Sequence, residues 1–474
     1  MIANRGEIAC RVMRTCKSMG IATVAVYSDA DRSALHAITA NEAVCIGEPT
    51  PRLSYLSIER ILQAARETGA DAVHPGYGFL SENADFAEAC ELAGFAFIGP
   101  RPATIRAMAL KDSGKKIARE AGTPVLSEDC IDVADAVLLE RARQIGFPVL
   151  IKAVAGGGGK GMRRVDAAPQ FLANLDAARR EASRTFGDDR VILEKYLTRS
   201  RHIEVQVFGD GRGNVVHLFE RDCSIQRRHQ KIIEESPAPE LPVEMRKALT
   251  SAAIAIARQV AYRGAGTVEF IADVSDGPRP DRFWFMEMNT RLQVEHPVTE
   301  SVTGIDIVEW QIRVAAGEPL PRTQDEIRLH GHAIEARICA EDPRKKYLPS
   351  PGVLTLVHLP HMLARVDTGV RTGDTVTQYY DPLLAKIIVH AQTRERAIQG
   401  LRTALEASRV DGVATNLDLL YAICGHRDFR HGTIATDFLY KFGEELIQKT
   451  RPQIESNSYR QSASSLSAQI PDVS

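Results

Sequence analysis

Through roughly the first hundred residues, apolar positions switch between two periods. Ile8 and Val12, with Ala9, Met13 and Cys16, recur at helical spacing between a turn at Gly6 and a stop at Gly20. Thr23-Val24-Ala25-Val26-Tyr27 is then a buried-strand run. Asp71-Ala72-Val73-His74 leads into Pro75-Gly76-Tyr77-Gly78, after which Ser81 and Asn83 can cap a helix closed by Gly94. Such alternation predicts a parallel, doubly wound layer. Ile2-Ala3 ends a short opening strand that looks clipped, because Met1 begins almost inside it.

From about Met108 the texture changes. A helix over Lys111 to Ala121 gives way to an apolar strand, Phe147 to Val154, then a glycine cluster, then a returning strand, Met162 to Val165. This predicts a small strand-rich subdomain with a flexible tip. Between Val191 and Glu295 come alternating strands around one amphipathic helix, Val243 to Val260, with a turn at Ser275 to Pro280. Strands with Gly/Pro turns and a late helix near Thr393 to Ala407 predict a third domain from about Leu329. After Arg451 the chain is rich in Ser, Gln and Asn and is expected to be disordered.

Composition narrows the function classes. Of 474 residues, 44% are hydrophobic and 25% charged, ordinary globular values. Lys plus Arg total 59 against 61 Asp plus Glu, so no positive excess exists to draw in nucleic acid. Eight scattered Cys without a C-x-x-C pair suggest neither a zinc cage nor a disulfide framework, and reduced thiols fit an intracellular compartment. No apolar run reaches the roughly 18 to 20 residues that cross a bilayer, so no membrane association is expected. The charged N-terminus resembles neither a signal peptide nor a transit peptide.

Three segments carry candidate chemistry. Ala155-Gly156-Gly157-Gly158-Gly159-Lys160-Gly161-Met162 follows the strand bearing Lys152. Consecutive glycines let backbone N–H groups converge on an anion. A Walker A loop is excluded, because Gly161 stands where Ser or Thr would bind magnesium. Gly156, Gly158 and Gly161 match a dinucleotide fingerprint in form, yet a strand rather than a helix follows. A phosphate loop and a plain hairpin tip both stay open.

In the second segment Glu287, Asn289, Arg291, Gln293 and Glu295 recur at every second residue, with Met288, Leu292 and Val294 between them. In an extended chain those five polar groups share one face. Magnesium prefers carboxylate oxygen, which Glu287 offers together with Glu269 on a neighbouring strand. The third segment, Glu220 to Lys231, holds Arg221, Arg227, Arg228, Lys231 and His229. It reads as a solvated face in isolation, and beside the other two segments as an anion pocket for phosphate or bicarbonate. His74 and His202, taken alone, read as hydrogen-bonded structural histidines.

Together these residues resemble the biotin carboxylases of the ATP-grasp superfamily. The matching stretches include IANRGEIA (2 to 9), HPGYGFLSEN (74 to 83), IKAVAGGGGKGMR (151 to 163), RHIEVQV (201 to 207), ERDCSIQRRHQKIIEESPAP (220 to 239), GAGTVEF (264 to 270), MEMNTRLQVEHPVTE (286 to 300), GHAIEARICAEDP (331 to 343) and YYDPLLAK (379 to 386). The wording is most similar to the biotin carboxylase portion of 3-methylcrotonyl-CoA carboxylase alpha subunits, enzymes of leucine catabolism.

The resemblance implies that MgATP phosphorylates bicarbonate to carboxyphosphate and that the carboxyl group then moves to N1′ of biotin. Lys111 and Lys152 would hold ATP phosphates, and the loop containing Gly157, Gly158 and Gly159 would close over them. Glu194, Lys195, Leu197, His202 and Gln226 would border adenine and ribose, and His229 would contact phosphates. Glu269, Glu287 and Asn289 would bind magnesium or manganese. Arg291, Gln293, Val294 and Lys231 would hold bicarbonate, Glu295 would be its general base, and Arg337 would steady the biotin enolate.

The fold implied is α/β: an N-terminal doubly wound parallel-sheet domain (1–107), an ATP-grasp domain (108–326) with a mobile lid at about 123–197, a strand-rich C-terminal domain (327–447) and a tail (448–474). No Met-Lys-Met biotinylation motif occurs, so biotin is expected on a separate carrier protein or a longer parent polypeptide. The resemblance further implies a carboxyltransferase partner, a homodimer, and a cytoplasmic location, or the mitochondrial matrix in a eukaryote. Two rival readings are another ATP-grasp carboxylate ligase and a non-catalytic carboxylase subunit.

Overall fold

Parallel pairing organises the N-terminal region of the computed structural model, which describes residues 1–128, 133–155, 162–228 and 230–452. Strand β1 (Val24–Tyr27) pairs in parallel with β2 (Glu42–Cys45), and β3 (Ala72–Val73) with β4 (Ala96–Phe97). Ile2 joins the two pairs through parallel bridges to Ala25 and His74, so the opening segment sits centrally between them. The helix Gly6–Ser18 buries Ile8, Ala9, Val12, Met13 and Cys16, the stripe its spacing dictates. In the helix Ala84–Leu92 the cap is Asn83, whose side chain accepts from the Phe86 amide; Ser81 takes no part in it.

A four-stranded antiparallel sheet follows, β5 (Ser127–Glu128), β6 (Val149–Ala153), β7 (Met162–Val165) and β8 (Val191–Lys195), in the order β5-β8-β6-β7. The helices Asp135–Ile145 and Phe171–Phe186 close its core through Leu138, Ala142, Phe171, Leu175 and Ala178. The glycine cluster and His229 lie outside the described residues, as does most of the C-terminal tail.

The largest element is an eight-stranded antiparallel sheet. It contains β9 (Ser200–Asp210), β10 (Val215–Arg227), β11 (Gln230–Ser236), β12 (Arg263–Asp273), β13 (Phe283–Asn289) and β14 (His332–Cys339), and is completed by Leu383–Ala391 and Arg365–Thr368. Its order, β13-β12-β9-β10-β11-β14 and then those last two, joins the central strands to the C-terminal ones without a break. Every residue of β9 is buried, because both faces of the sheet are covered. Ile203, Val205 and Val207 pack into one core with the helix Val243–Gln259, while His202, Glu204 and Gln206 alternate onto the opposite face. That polar, buried face is where the chemistry gathers. Among the described residues no helix is long and apolar enough to cross a membrane.

Candidate active site

A cleft of about 870 Å³ lies over this face, a volume suited to a nucleotide-sized ligand. One part of its lining is apolar, with Ile105, Met108, Phe285 and Met288, beside Lys111 and Lys152. Elsewhere it is lined by Glu269, Glu287, Asn289, Arg291, Gln293, Val294, Glu295, Lys231 and Arg337, and the N-terminal region contributes Arg5, Glu7, Tyr77 and Glu82.

Strand register brings these groups together. Glu269 on β12 is the direct partner of Glu287 on β13, and Glu204 on β9 is the partner of Glu269 on its other side. Between β10 and β11 the register slips: Ile225 pairs with Ile233 but Gln226 with Lys231, one extra residue on β11. Such a bulge re-aims a side chain, here Lys231, into the cleft. Its ammonium lies 2.5 Å from Glu204, 2.9 Å from Glu269 and 2.7 Å from Glu295. Arg337 contacts the other Glu295 oxygen at 2.9 Å. Glu295 is thus bracketed by two cations.

The five alternating polar groups do not share one strand. β13 ends at Asn289, the chain leaves the sheet at Thr290, and Glu295 caps the helix His296–Thr303 with φ −82° and ψ 7°. The reading of a single extended face is corrected accordingly. Arg291 turns back to Asn289 Oδ1 at 3.0 Å and pairs with Glu82 at 2.8 Å. Gln293 donates to Glu269 at 2.8 Å. Convergence survives because the loop folds over the sheet.

The basic segment is divided between the cleft, which Arg227 and Lys231 line, and the scaffold beneath it. Arg221 is fully buried and donates to Glu204, Gln206, Thr299, Thr267 and Gln293, so its charge is spent on scaffolding. Arg227 pairs with Glu341, and Arg228 is exposed at the hairpin. Lys231 is the cation of that segment given to the Glu295 cluster.

Electrostatics follow from these contacts. Burial pushes the Glu295 carboxyl up, but Lys231, Arg337 and Arg221 together outweigh it and hold the group at about 2. Glu204 sits at about 2 for the same reason, with Lys231 and Arg221 as its cations. Glu287 moves the other way, raised by burial and by Glu269 opposite. Its nearest cation, Lys111, is 3.9 Å away. Two facing carboxylates, one of them weakly compensated, fit a divalent cation.

The structure brings Lys152 and Lys115 onto Glu194, which they hold at about 2 against burial. His202 lies 2.9 Å from Glu269 and pairs with Gln226 at 2.8 Å, so it belongs to the cleft and not to a structural contact elsewhere. His74 does have a structural contact, 3.2 Å from Gln311. Lys195 bonds the carbonyls of Gly146 and Phe147, and neither it nor Leu197 lines the cleft. Sequence reading missed Glu204 and Glu82, and it counted Arg221 among the cations of a solvated face or anion pocket without seeing its place in the scaffold. Glu204 alternates with His202 in one strand, a spacing that signalled its face.

Three family models match in succession: the biotin carboxylase N-terminal domain over residues 1–105, the carbamoyl-phosphate synthase L chain ATP-binding domain over 111–323, and the biotin carboxylase C-terminal domain over 335–441. Biotin carboxylase 2 of Bacillus subtilis is 49% identical over 443 residues, covering 93% of this chain and 98% of that protein. The chain belongs to the biotin carboxylase family. The mitochondrial methylcrotonoyl-CoA carboxylase subunit alpha of Rattus norvegicus is 52% identical over 452 residues, 94% of this chain. This biotin carboxylase chain spans 62% of that subunit's length.

Solved structures agree on the fold. The biotin carboxylase domain dimer of Hydrogenobacter thermophilus 2-oxoglutarate carboxylase, in complex with MgADP, ADP and bicarbonate, superposes with a TM-score of 0.91 at 45% identity, covering 95% of this chain and 98% of that one. A biotin carboxylase complex from Campylobacter jejuni gives 0.89 at 44% identity, covering 93% and 98%. The α/β ATP-grasp expectation is therefore met.

Proposed function

We propose that this chain uses ATP and bicarbonate to carboxylate biotin borne on a carrier domain or protein, as the biotin carboxylase component of an acyl-CoA carboxylase of the methylcrotonoyl-CoA type. The observation that carries the reading is Glu295, ionised and bracketed by Lys231 and Arg337 in a cleft that also holds Arg291 and two facing carboxylates.

In this reading Lys111 and Lys152 take the nucleotide's phosphates beside the apolar wall of Ile105, Met108 and Phe285. Glu269, Glu287 and Asn289 would hold magnesium, which supplies charge neutralisation during phosphoryl transfer. Bicarbonate binds among Lys231, Arg291, Gln293 and Val294. As Lys231 and Arg337 turn from Glu295 to the incoming anion, they release their hold on its carboxylate, whose proton affinity rises when the proton must be taken. Arg337 then faces the negative charge developing on the biotin ureido oxygen.

A carboxyltransferase and a second copy of the chain complete the proposed assembly; the Hydrogenobacter relative is described as a dimer. The matrix is the compartment proposed for a eukaryotic source, since the rat relative is mitochondrial. Transfer of radiolabelled bicarbonate to free biotin, dependent on ATP and magnesium, tests the reading. ATP cleavage that ignores biotin would favour a different carboxylate ligase.

A further inference from the structure

Two carboxylates that this chemistry does not use lie side by side behind Arg337. Glu234 on β11 and Glu335 on β14 are register partners, and both are fully buried. Such partners have Cβ atoms about 4.5–5.5 Å apart. Neither oxygen of Glu335 has a hydrogen-bond partner. In a dry interior, two carboxylates this close cannot both ionise, because mutual repulsion adds to the desolvation cost of each. Burial pushes Glu335 well above the ordinary range despite Lys386, and pushes Glu234 up to about 7 against the pull of Arg337.

The surrounding charges are otherwise engaged. Lys231, on Glu234's own strand, serves Glu204, Glu269 and Glu295. Lys386 is committed to Glu7 at 2.8 Å and to the Val294 carbonyl at 2.8 Å. Cys223 on β10 is held as a neutral thiol by burial, and His296, on the helix packed against β11 and β14, is held neutral in the same way. Arg337 is left as the pair's cation. Its Nη2 lies 2.5 Å from Glu234 and 2.9 Å from Glu295, whereas its buried Nε has no hydrogen-bond partner. Glu295 through a hydrogen bond, and Glu234 through a close ion pair in which neither of its oxygens has a hydrogen-bond partner, anchor the guanidinium at one nitrogen and leave donors for a third anion in the cleft.

Resting on the biotin carboxylation reading, we propose that Glu234 is a positioning residue that holds Arg337 for the biotin step, while Glu335 behind it carries a proton, so that the pair presents a single negative charge. When Glu234 gains a proton the anchor loses its charge, and Arg337 falls back on Glu295 and ties up the base. Biotin carboxylation therefore rises with pH through about 7. In the unliganded site Glu295 is held at about 2, below the range of that limb.

The test measures biotin carboxylation and bicarbonate-dependent ATP cleavage against pH in wild type, E234Q, E234D and E335Q, with free biotin as acceptor, together with infrared spectra of the carboxyl stretch. E234Q is expected to lower kcat for biotin carboxylation about tenfold, to leave KM for ATP within about twofold, and to flatten the limb. E234D, which keeps the charge, restores the limb. E335Q keeps the limb but abolishes a protonated-carboxyl band that wild type retains at about pH 8. An unaltered limb in E234Q, a lost limb in E335Q, or no such band in an active wild type overturns the proposal. Wild type that never carboxylates biotin overturns the reading of the site and the Arg337 role with it, while the band still locates the proton.

Discussion

Replacing Arg221 by methionine removes the side chain on which the polar sheet face depends. All five of its N–H groups are committed: Nε to Glu204 at 2.6 Å, Nη1 to Gln206 at 2.8 Å and Thr299 at 2.9 Å, and Nη2 to Thr267 at 3.1 Å and Gln293 at 2.6 Å. Methionine fills part of the volume and satisfies none of these acceptors. Glu204, fully buried, then keeps Lys231 at 2.5 Å, with His202 farther off at 3.8 Å. Removing one partner from a buried pair costs about 3–5 kcal/mol, a large part of a typical stability of about 5–15 kcal/mol. The denaturation midpoint of the intact protein measures that loss. R221M/E204Q, which also removes the stranded charge, should recover about 1–3 kcal/mol, because the two changes share one pair. A loss below about 1 kcal/mol in R221M, or strictly additive effects in the double variant, would refute the claim that Arg221 is the hub.

Glu287→Gln removes one of the two facing carboxylates and should raise the magnesium concentration for half-maximal ATP cleavage by about tenfold, read by titrating the metal at fixed ATP. Arg337→Ala should weaken biotin carboxylation more than bicarbonate-dependent ATP cleavage, and equal losses in paired assays would contradict its placement. In acid, Glu194, Glu204 and Glu295 have folded values near 2, below those of unfolded carboxyls at about 4.3. Their contribution is complete above the unfolded value and is lost as pH falls through the folded one, so unfolding midpoints should drop steeply from about pH 4 toward 2. A flat midpoint over that window would remove these ion pairs from the account.

The N-terminal parallel layer was legible because each strand and helix there announces itself through local spacing, as Gly6–Ser18 and Val24–Tyr27 do. Residue choice also exposed Glu287, Arg291 and Glu295. Their geometry was not legible, since a period of two looks the same whether the chain continues as a strand or, as here, turns out at Thr290. Arg221 resembled a surface cation because its five acceptors come from β9, β12, the Gln293 loop and the helix His296–Thr303, pairings that no local window contains. Lys231 reaches the cleft through a register slip set by two strands together. The C-terminal helices Leu417–Gly425 and Phe438–Ile447 went unread amid turn signals, although both bury apolar faces in the C-terminal core.

The most direct test follows heavy oxygen from labelled bicarbonate during ATP cleavage by this protein. If Lys231, Arg291 and Glu295 present bicarbonate to the terminal phosphoryl group, one labelled oxygen appears in each inorganic phosphate released. Unlabelled phosphate, with all of its new oxygen drawn from water, would contradict that role for the cleft.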